Sequence, residues 1–176
     1  MPGAPSPDTD LLDWTVAGGL VENADGLLMV RNVRHGGRVD WTPPGGVIDA
    51  TDRSLAAGLT REVVEETGIT VGRWDGPVYT VRADAPDMGW RMSCEVHYAL
   101  EFDGELLVDD PDEIVVAAEF LDDAGCSDVL STCPPWVREP LAAWMAGRWS
   151  SRDAQAFHYE VRGTRVDALE VRRLSP

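Results

Sequence analysis

The chain has 176 residues, of which 44% are hydrophobic and 26% charged, a composition typical of one globular domain with a sizeable core. Its formal net charge of −16 argues against a protein that binds nucleic acid backbones, because such binding depends on lysine and arginine. No apolar stretch is long enough to span a membrane, and the three cysteines lack metal-type spacing, which predicts free thiols in the cytoplasm.

Residues 1–13, rich in proline and aspartate, are expected to form a loose tail ahead of the folded core. The apolar stretches Trp14–Glu22 and Leu27–Val30, separated by a turn signal at Ala24–Gly26, predict a β-hairpin. The run Trp41–Gly46 contains two prolines and two glycines, so it predicts a shaped loop instead of regular structure.

The clearest helix is predicted over Arg53–Thr67, directly after that loop. Thr51 or Asp52 is expected to cap its start by accepting hydrogen bonds from free amides, and Gly68 is expected to end it in the left-handed conformation. Its buried face repeats every fourth residue and comprises Leu55, Leu59 and Val63.

The second half of the chain predicts further strands and two helices. A strict two-residue alternation makes Met92–Phe102 the clearest strand, with one face in the core and His97 on the exposed face. The other predicted elements are strands over Ile69–Val81 (interrupted at Gly76–Pro77) and Ile114–Leu121, helices over Asp122–Leu130 and Pro134–Ala146, and a hairpin of Phe157–Val161 with Val166–Val171. This order of elements predicts an α+β fold.

Three glutamates, Glu62, Glu65 and Glu66, share one face of the predicted helix, because positions three and four apart are neighbours on an α-helix. Adjacent carboxylates repel one another, so a bound cation would stabilise this face. A cluster of hard oxygen ligands suits Mg²⁺, with Mn²⁺ as the alternative, better than it suits zinc. The competing interpretation is a solvated helix face on which acidic residues are grouped by chance.

The nine residues Arg61–Ile69 resemble the second half of the Nudix hydrolase signature, R-E-U-x-E-E-x-G-U with U a bulky aliphatic residue, at every fixed position. Pro44–Gly46 is similar to the glycine entry of the same signature. The resemblance, to MutT-like and ADP-ribose pyrophosphatase-like members, implies the Nudix fold: a mixed β-sheet sandwiched between helices (α/β/α). We expect this core over residues 14–131, and a C-terminal helix and hairpin extension over residues 132–176, packed on the same domain.

One position departs from the family pattern. The loop between Gly46 and Arg61 is one residue longer, and the family's first glutamate, which pairs with the arginine of the signature, is missing. Asp52 or Asp49 can take its place beside Arg61, and the sequence leaves both open. Arg53 cannot, because two guanidinium groups repel each other.

The resemblance implies a metal site and a role for the signature arginine. Glu62, Glu65, Glu66 and the main-chain carbonyl of Gly45 would bind the metal, whose charge neutralises a diphosphate and lowers the pKa of a bound water. Arg61 would orient the carboxylates and not touch the substrate.

A base must also take a proton from the attacking water. Glu62 and Glu66 are candidates, and family members also use a glutamate from a later loop. Glu113, at the end of the acidic run Asp109–Glu113, lies about where that loop is expected. A polar turn with incidental charge is the competing interpretation of Glu113.

Residues near the expected cleft are candidates for substrate binding. Trp41 could stack on a base, Arg31 and Arg38 could hold phosphates in a forked geometry, and Gly46 lets the main chain approach closely. Arg34 lies in the same stretch. Core packing competes as the interpretation of Trp41, and a solvated surface role competes for each arginine.

The resemblance implies a Mg²⁺-dependent pyrophosphohydrolase that cleaves a nucleoside diphosphate linked to another group, of the ADP-ribose or nucleotide-sugar type, by water attack on phosphorus. Two alternatives stay open: a pyrophosphatase that cleans the nucleoside triphosphate pool, and a Nudix module that senses a nucleotide without cleaving it. We expect a small nucleotide substrate and no nucleic acid or membrane partner. Three uses of the C-terminal extension stay open: covering the core, shaping the cleft, or forming a homodimer contact.

Overall fold

The structure is a computed structural model that describes residues 11–175. The strands are β1 (Leu12–Leu20), β2 (Glu22–Asn23), β3 (Gly26–Val33), β4 (Val39–Thr42), β5 (Gly45–Val47), β6 (Thr70–Ala85), β7 (Trp90–Asp103), β8 (Val115–Leu121), β9 (Gln155–Arg162) and β10 (Glu170–Leu174). The helices are α1 (Leu55–Thr67), α2 (Asp123–Leu130) and α3 (Pro135–Gly147). Residues 1–10 of the predicted tail lie outside the described residues, whereas Leu12 and Asp13 already belong to β1.

The strands form two sheets. In the six-stranded sheet the order is β10–β9–β6–β7–β1–β5, with β1–β7 and β6–β9 parallel and the other neighbours antiparallel. In the second sheet β3 pairs antiparallel with β2, β4 and β8. The predicted hairpin of Trp14–Glu22 with Leu27–Val30 is therefore wrong for most of its length, since only β2 pairs with the start of β3. An apolar strand pattern indicates a buried segment and not its partner.

Helices cover the sheets on both sides. Helix α1 packs through Leu59 and Val63, both fully buried, onto a cluster that includes Leu28 of β3. Helix α3 packs through Leu141 and Trp144 onto a second cluster, which α2 and the six-stranded sheet complete. The predicted α+β fold, with a mixed sheet between helices, is confirmed.

Helix α1 begins two residues later than predicted, and Ser54 caps it by accepting a hydrogen bond from the amide of Ala57 at 3.1 Å. The predicted cap at Thr51 or Asp52 is therefore wrong. The Asp52 carboxylate is held by an arginine of the helix instead. Gly68 ends α1 with a φ of 77°, as predicted.

Strand β7 departs from the predicted alternation. His97 is buried, with 8% of its surface exposed, and Leu100 is exposed, so the predicted faces of this strand are wrong at both positions. The neighbouring strand β6 is irregular beside His97, and Gly76 lies there. A β-carbon on Gly76 would come 2.3 Å from His97 Nδ1, so the missing side chain makes room for the ring.

The C-terminal residues extend the six-stranded sheet. Strand β9 pairs with β6, and β10 pairs back on β9, which confirms the predicted final hairpin, although Val166–Ala168 forms a 3-10 turn instead of strand. Helix α2 is found where it was expected, and Asp122 caps it by accepting from the amide of Gly125 at 2.8 Å. Among the described residues, none of the helices is both long and apolar enough to pass through a bilayer.

Candidate active site

Two consecutive glycines bring the loop after β4 against both β1 and α1. Gly45 has a φ of 142°, and a β-carbon there would lie 2.2 Å from the carbonyl oxygen of Ala17. A β-carbon on Gly46 would lie 2.5 Å from Glu62 Oε2. The main chain can therefore touch the acidic helix face only because neither residue has a side chain.

Glu66 is the most deeply buried carboxylate of this face. Its Oε2 accepts a hydrogen bond from the amide of Gly45 at 2.8 Å, and only 9% of the residue is exposed. Burial raises the pKa of Glu66 to about 8, and the nearby Glu62 and Asp110 carboxylates add to this rise, while the Gly45 amide opposes it. The positive charge of Arg34, across the cavity, opposes the rise only weakly.

Arg61 lies between the other two helix glutamates. Its Nη1 donates to Glu62 Oε1 at 2.7 Å and to Glu65 Oε2 at 3.1 Å. Burial raises the pKa of Glu62, and the hydrogen bond from Arg61 partly opposes that rise. The arginine thus fixes the two carboxylates, the orienting role that the family resemblance implies for it.

Asp52, and not Asp49, occupies the other side of the Arg61 guanidinium. Its two oxygens accept from Arg61 Nε at 3.2 Å and Nη2 at 3.0 Å, and this lowers the pKa of Asp52. Asp49 instead accepts from the amide and hydroxyl of Thr51. Gly58 makes room for this packing, because a β-carbon there would lie 2.6 Å from Asp52 Oδ2.

The acidic loop before β8 reaches the same region. Asp110 anchors the loop, since its Oδ2 accepts from the amides of Ile114 and Val115, both at 2.8 Å. Asp112 and Glu113 are both exposed, but only Asp112 lines the cavity beside α1, and Glu113 has a φ of 54°. The loop therefore brings a carboxylate to the site, but not the one that the sequence singles out.

A cavity of about 450 Å³, which we name the acidic cavity, connects these groups. Its lining comprises Asn32, Arg34, Thr42, Gly45, Gly46, Val47, Asp49, Thr51, Arg61, Glu62, Glu66, Asp110, Asp112 and Ile114. Glu62 and Glu66 line it, while Glu65 lies at its margin beside Arg61.

The donor chemistry of the acidic cavity fits a hard divalent cation, because its ligands are carboxylate and main-chain oxygens. Over residues 11–175, however, no three acidic, histidine or cysteine side chains already converge on one metal-sized position. Arg61 Nη1 occupies the space between Glu62 and Glu65. A cation that took both as ligands would have to displace this guanidinium contact.

Arg34 faces the acidic helix across the cavity. The buried Asp40 accepts from Arg34 Nε with both oxygens at 3.2 Å, and Asn32 Nδ2 donates to the same carboxylate at 3.0 Å. The terminal nitrogens of Arg34 form no hydrogen bond with any described residue and are available to a phosphate.

The predicted substrate-binding residues are not all brought together. Gly46 lines the acidic cavity, whereas Arg31 and Trp41 do not. Trp41 packs against the core, and its carbonyl oxygen accepts from the Cys133 thiol at 3.0 Å. Arg38 is half-exposed, lies 3.4 Å from Asp40 and does not line the acidic cavity.

A second cavity, of about 320 Å³, continues from the acidic cavity on the sheet side of the glycine loop, and we name it the apolar cavity. Its walls include Val16, Tyr79, Met92, Cys94 and Trp136, and it shares Arg34, Thr42 and the two glycines with the acidic cavity. Tyr79 is 3% exposed, and its hydroxyl has no hydrogen-bond partner within the described part of the chain.

Two of these features could not be singled out from the sequence. Tyr79 looks like an ordinary strand residue, and its free hydroxyl becomes visible only once the cavity is formed. Arg34 is one of three arginines in this stretch, with Arg31 and Arg38. Its orientation towards the helix is determined by Asp40, which lies opposite Asn32 on the neighbouring strand. The alternation of polar residues at Asn32, Arg34 and Asp40 was the available signal.

A mixed sheet between helices, a glycine loop and an acidic helix around one cavity are the arrangement that the family resemblance implies. Comparisons with known proteins agree: a family model described as the NUDIX domain matches residues 13–124. The chain therefore belongs to the NUDIX family, and the predicted class, a hydrolase acting on phosphoric anhydride bonds, is confirmed. No match was found among curated proteins.

Solved structures share the fold at low sequence identity. A MutT NUDIX hydrolase from Burkholderia pseudomallei is 23% identical with a TM-score of 0.55, over 69% of this chain and 87% of that chain. A MutT protein from Bacillus halodurans is 22% identical with a TM-score of 0.59, over 91% and 97%. A MutT protein from Methanosarcina mazei Go1 is 20% identical with a TM-score of 0.60, over 80% and 99%.

Proposed function

We propose that the protein is a divalent-cation-dependent pyrophosphohydrolase that cleaves a nucleoside diphosphate linked to another group, of the ADP-ribose or nucleotide-sugar type. The observation that carries this proposal is the buried Glu66 carboxylate held by the Gly45 amide, directly where the acidic and apolar cavities meet. A diphosphate lying there would face oxygen ligands for a cation on one side and Arg34 on the other.

The residues have distinct roles in this proposal. Glu62, Glu65 and Glu66, with the carbonyl of Gly45, would hold Mg²⁺ or Mn²⁺, which supplies charge neutralisation and an activated water. Arg61 orients Glu62 and Glu65 through its hydrogen bonds to them.

Arg34 would bind the phosphate oxygens, because Asp40 fixes its Nε and leaves the outer edge of the guanidinium free. Asp112 is the better-placed candidate for the base that takes the proton from water, since it lines the acidic cavity and Glu113 does not. The apolar cavity would receive the nucleobase between Met92 and Trp136, with the Tyr79 hydroxyl as a hydrogen-bonding group.

The space around Arg34 favours a substrate with a bulky group at each end of its phosphates over a nucleoside triphosphate. Besides the apolar cavity, a further cavity of about 990 Å³ also reaches this residue. A triphosphate would fill one of the two and leave the other without a ligand, whereas a diphosphate with groups at both ends would occupy both. Cleaning of the nucleoside triphosphate pool is therefore the second choice.

We also place the protein in the cytoplasm with a small-molecule substrate. All three cysteines are free thiols, as suits a reducing compartment. The net charge of −16 disfavours a polymeric nucleic acid as the substrate.

The experiment measures the nucleotide products by ion-exchange chromatography, for example AMP from ADP-ribose, over ADP-ribose, a nucleotide sugar, diadenosine tetraphosphate and ATP, each with Mg²⁺ and with Mn²⁺. We expect Glu66→Gln to lose activity by roughly 100-fold or more without any fall in melting temperature, because it removes a metal ligand without changing the shape of the side chain. The matched control is Glu101→Gln, at an exposed glutamate of β7 paired with Arg73. Wild-type activity in Glu66→Gln would contradict the metal site, and inactivity of the wild type on every substrate would favour the nucleotide-sensing module.

A further inference from the structure

Asn32 is a buried residue in the wall of the acidic cavity, and its side-chain oxygen has no hydrogen-bond partner. The residue lies on β3 and is 2% exposed. Its Nδ2 donates to Asp40 Oδ1 and to Thr42 Oγ1, each at 3.0 Å. Over residues 11–175, no group donates to its Oδ1. Because buried polar groups are nearly always paired in folded proteins, a free acceptor in a cavity indicates a position for a ligand.

The neighbours of Asn32 fix the direction of its amide. The nitrogen must face Asp40, because a carboxylate accepts hydrogen bonds and an amide oxygen cannot donate one. Asp40 is itself 4% exposed and is held by Arg34 Nε, which donates to both of its oxygens at 3.2 Å. In the part of the chain that the structure describes, no fully enclosed side-chain oxygen or nitrogen lacks a partner. The Asn32 oxygen is therefore open to the acidic cavity that the residue lines.

The charges around this oxygen favour a neutral ligand. A phosphate oxygen is disfavoured, because it and the amide oxygen are both acceptors. A cation is disfavoured as well, since Asn32 Nδ2 and Arg34 Nε donate to the same oxygen of Asp40, at 3.0 Å and 3.2 Å. This places a guanidinium charge beside the amide, where it repels a second positive charge. A neutral group with an O–H bond, such as a water molecule, fits the position.

Asp112 provides a second acceptor in the same cavity. Val115 lies opposite Asn32 in the pairing of β3 with β8, and Asp112 precedes Val115 by three residues. The loop that carries the carboxylate therefore leads directly to the strand beside Asn32. A water molecule has two O–H bonds and can donate one to each of the two acceptors.

We propose that Asn32 is a further catalytic residue, whose side-chain oxygen accepts a hydrogen bond from the attacking water while Asp112 accepts the other. The two contacts would direct the water oxygen at phosphorus. This proposal rests on the proposed pyrophosphohydrolase activity and adds to it a group that touches a reacting molecule.

The step balances with these two acceptors. The water oxygen forms a bond to phosphorus, and the bond from phosphorus to the bridging oxygen breaks, with its electron pair on the departing group. One proton of the water passes to Asp112, and the other stays on the new P–OH group, hydrogen-bonded to Asn32. Methanol has a single O–H proton, which would pass to Asp112 and leave Asn32 without a donor. The amide oxygen should therefore favour water over methanol as the nucleophile.

The test uses Asn32→Leu, which keeps the size of the side chain and removes the amide oxygen. The substrate is the compound of the four-substrate panel that the wild type cleaves fastest, with Mg²⁺. We expect kcat to fall by about ten-fold with an unchanged KM, as for the loss of one hydrogen bond in the transition state. In buffer that contains methanol, we expect the ratio of methyl ester to free phosphate among the products to rise by about five-fold.

A control and a second variant complete the test. Gln155→Leu makes the same kind of change at an exposed amide of β9 outside the acidic cavity, and it should match the wild type. Asn32→Thr also lacks the amide oxygen, suits a strand and keeps a hydroxyl that can donate to Asp40. It serves if melting shows that Asn32→Leu does not fold, and the same changes in kcat and product ratio are expected.

Three results would overturn the role of Asn32. A higher KM with an unchanged kcat, as expected for Arg34→Gln, would mean that Asn32 only positions Arg34 or contacts a hydroxyl of the substrate. Weaker binding of Mn²⁺ to Asn32→Leu in titration calorimetry would make the amide oxygen a cation ligand. An unchanged methyl ester ratio would mean that the oxygen does not contact the nucleophile. Each of these leaves the hydrolase in place, whereas a wild type that cleaves none of the substrates overturns the proposed function and this role with it.

Discussion

Replacing Gly46 with alanine tests whether the close approach of the loop to α1 sets the rate of hydrolysis. A β-carbon at this position would lie 2.5 Å from Glu62 Oε2 and 2.9 Å from its Cδ, whereas ordinary contacts begin near 3.4 Å. The carboxylate must therefore move by about 0.9 Å, the difference between 3.4 Å and 2.5 Å. The φ of Gly46 is not positive, so the backbone itself accepts alanine.

The expected cost falls on the rate and not on folding. A misplacement of about 1 Å at a reacting centre can cost roughly 100-fold in rate, so we expect kcat to fall by about that factor. The atom that must move is the end of a flexible side chain, so the melting temperature should stay close to that of the wild type. Steady-state hydrolysis with Mg²⁺ and thermal melting measure the two effects.

Gly72→Ala provides a matched control for this change. A β-carbon on Gly72 would lie 3.8 Å from the carbonyl oxygen of Glu101, an ordinary contact, on an exposed part of β6. If Gly46→Ala has the same kcat as Gly72→Ala, the reasoning from the Glu62 distance is refuted. If kcat and melting temperature of Gly46→Ala fall together, the loss belongs to folding and the distance argument also fails.

Three further predictions address the base, the nucleobase contact and the buried carboxylate. Asp112→Asn should lower kcat by roughly 100-fold, while Glu113→Gln should leave kcat unchanged; the reverse result would restore Glu113 as the base. Tyr79→Phe should raise the substrate KM by about five-fold with no change in melting temperature, as for the loss of one neutral hydrogen bond, and an unchanged KM would contradict a role for this hydroxyl. Burial raises the pKa of Glu66 from 4.5 to about 8, so its contribution to stability is present below pH 4.5 and is lost as the pH rises to about 8. Thermal melts in EDTA should therefore show a loss of stability over this range that is absent in Glu66→Gln and reversed by Mg²⁺, and equal pH dependence of both proteins would contradict it.

Helix α1 could be predicted because its signals are local. The repeat of Leu59 and Val63 and the glycine at its end are properties of adjacent turns, and both are found in the structure. The start of the helix could not be predicted in the same way. A tertiary contact determines where the helix starts, because Asp52 is held by Arg61 and the helix begins only after the loop, at Ser54.

Gly58 shows the same limit. A glycine inside a helix lowers its stability by up to about 1 kcal/mol relative to alanine, so from the sequence alone Gly58 is only a cost. In the structure it is the space into which the Asp52 carboxylate fits, so the glycine and the longer loop form one arrangement. The sequence contains both residues, but their contact depends on how the loop folds back over the helix.

The three glutamates could be placed from helix geometry alone, whereas the opposite side of the site could not. The orientation of Arg34 depends on Asp40 and Asn32, which meet only because β3 and β4 pair in one register. The position of Trp136 depends on tertiary packing, because this residue lies about a hundred residues after that pair in the sequence. Local pattern therefore predicts the acidic half of the site, and tertiary pairing determines the basic half.

The acidic and basic halves of the site differ in whether they need a cation to bind a phosphate. In the proposed site, the acidic half would hold a phosphate only through a cation, because the Glu62 carboxylate repels the phosphate and Glu66, whose pKa is raised to about 8, must lose its proton to bind a metal. The basic half is permanent, because the buried Asp40 holds Arg34 in place whether or not a metal is present. A substrate anion would therefore be positioned by Arg34 and activated only when the carboxylates carry their cation, which makes recognition and cleavage separable within one site. After cleavage, the large negative charge of the chain would favour departure of the anionic products once they leave the cation.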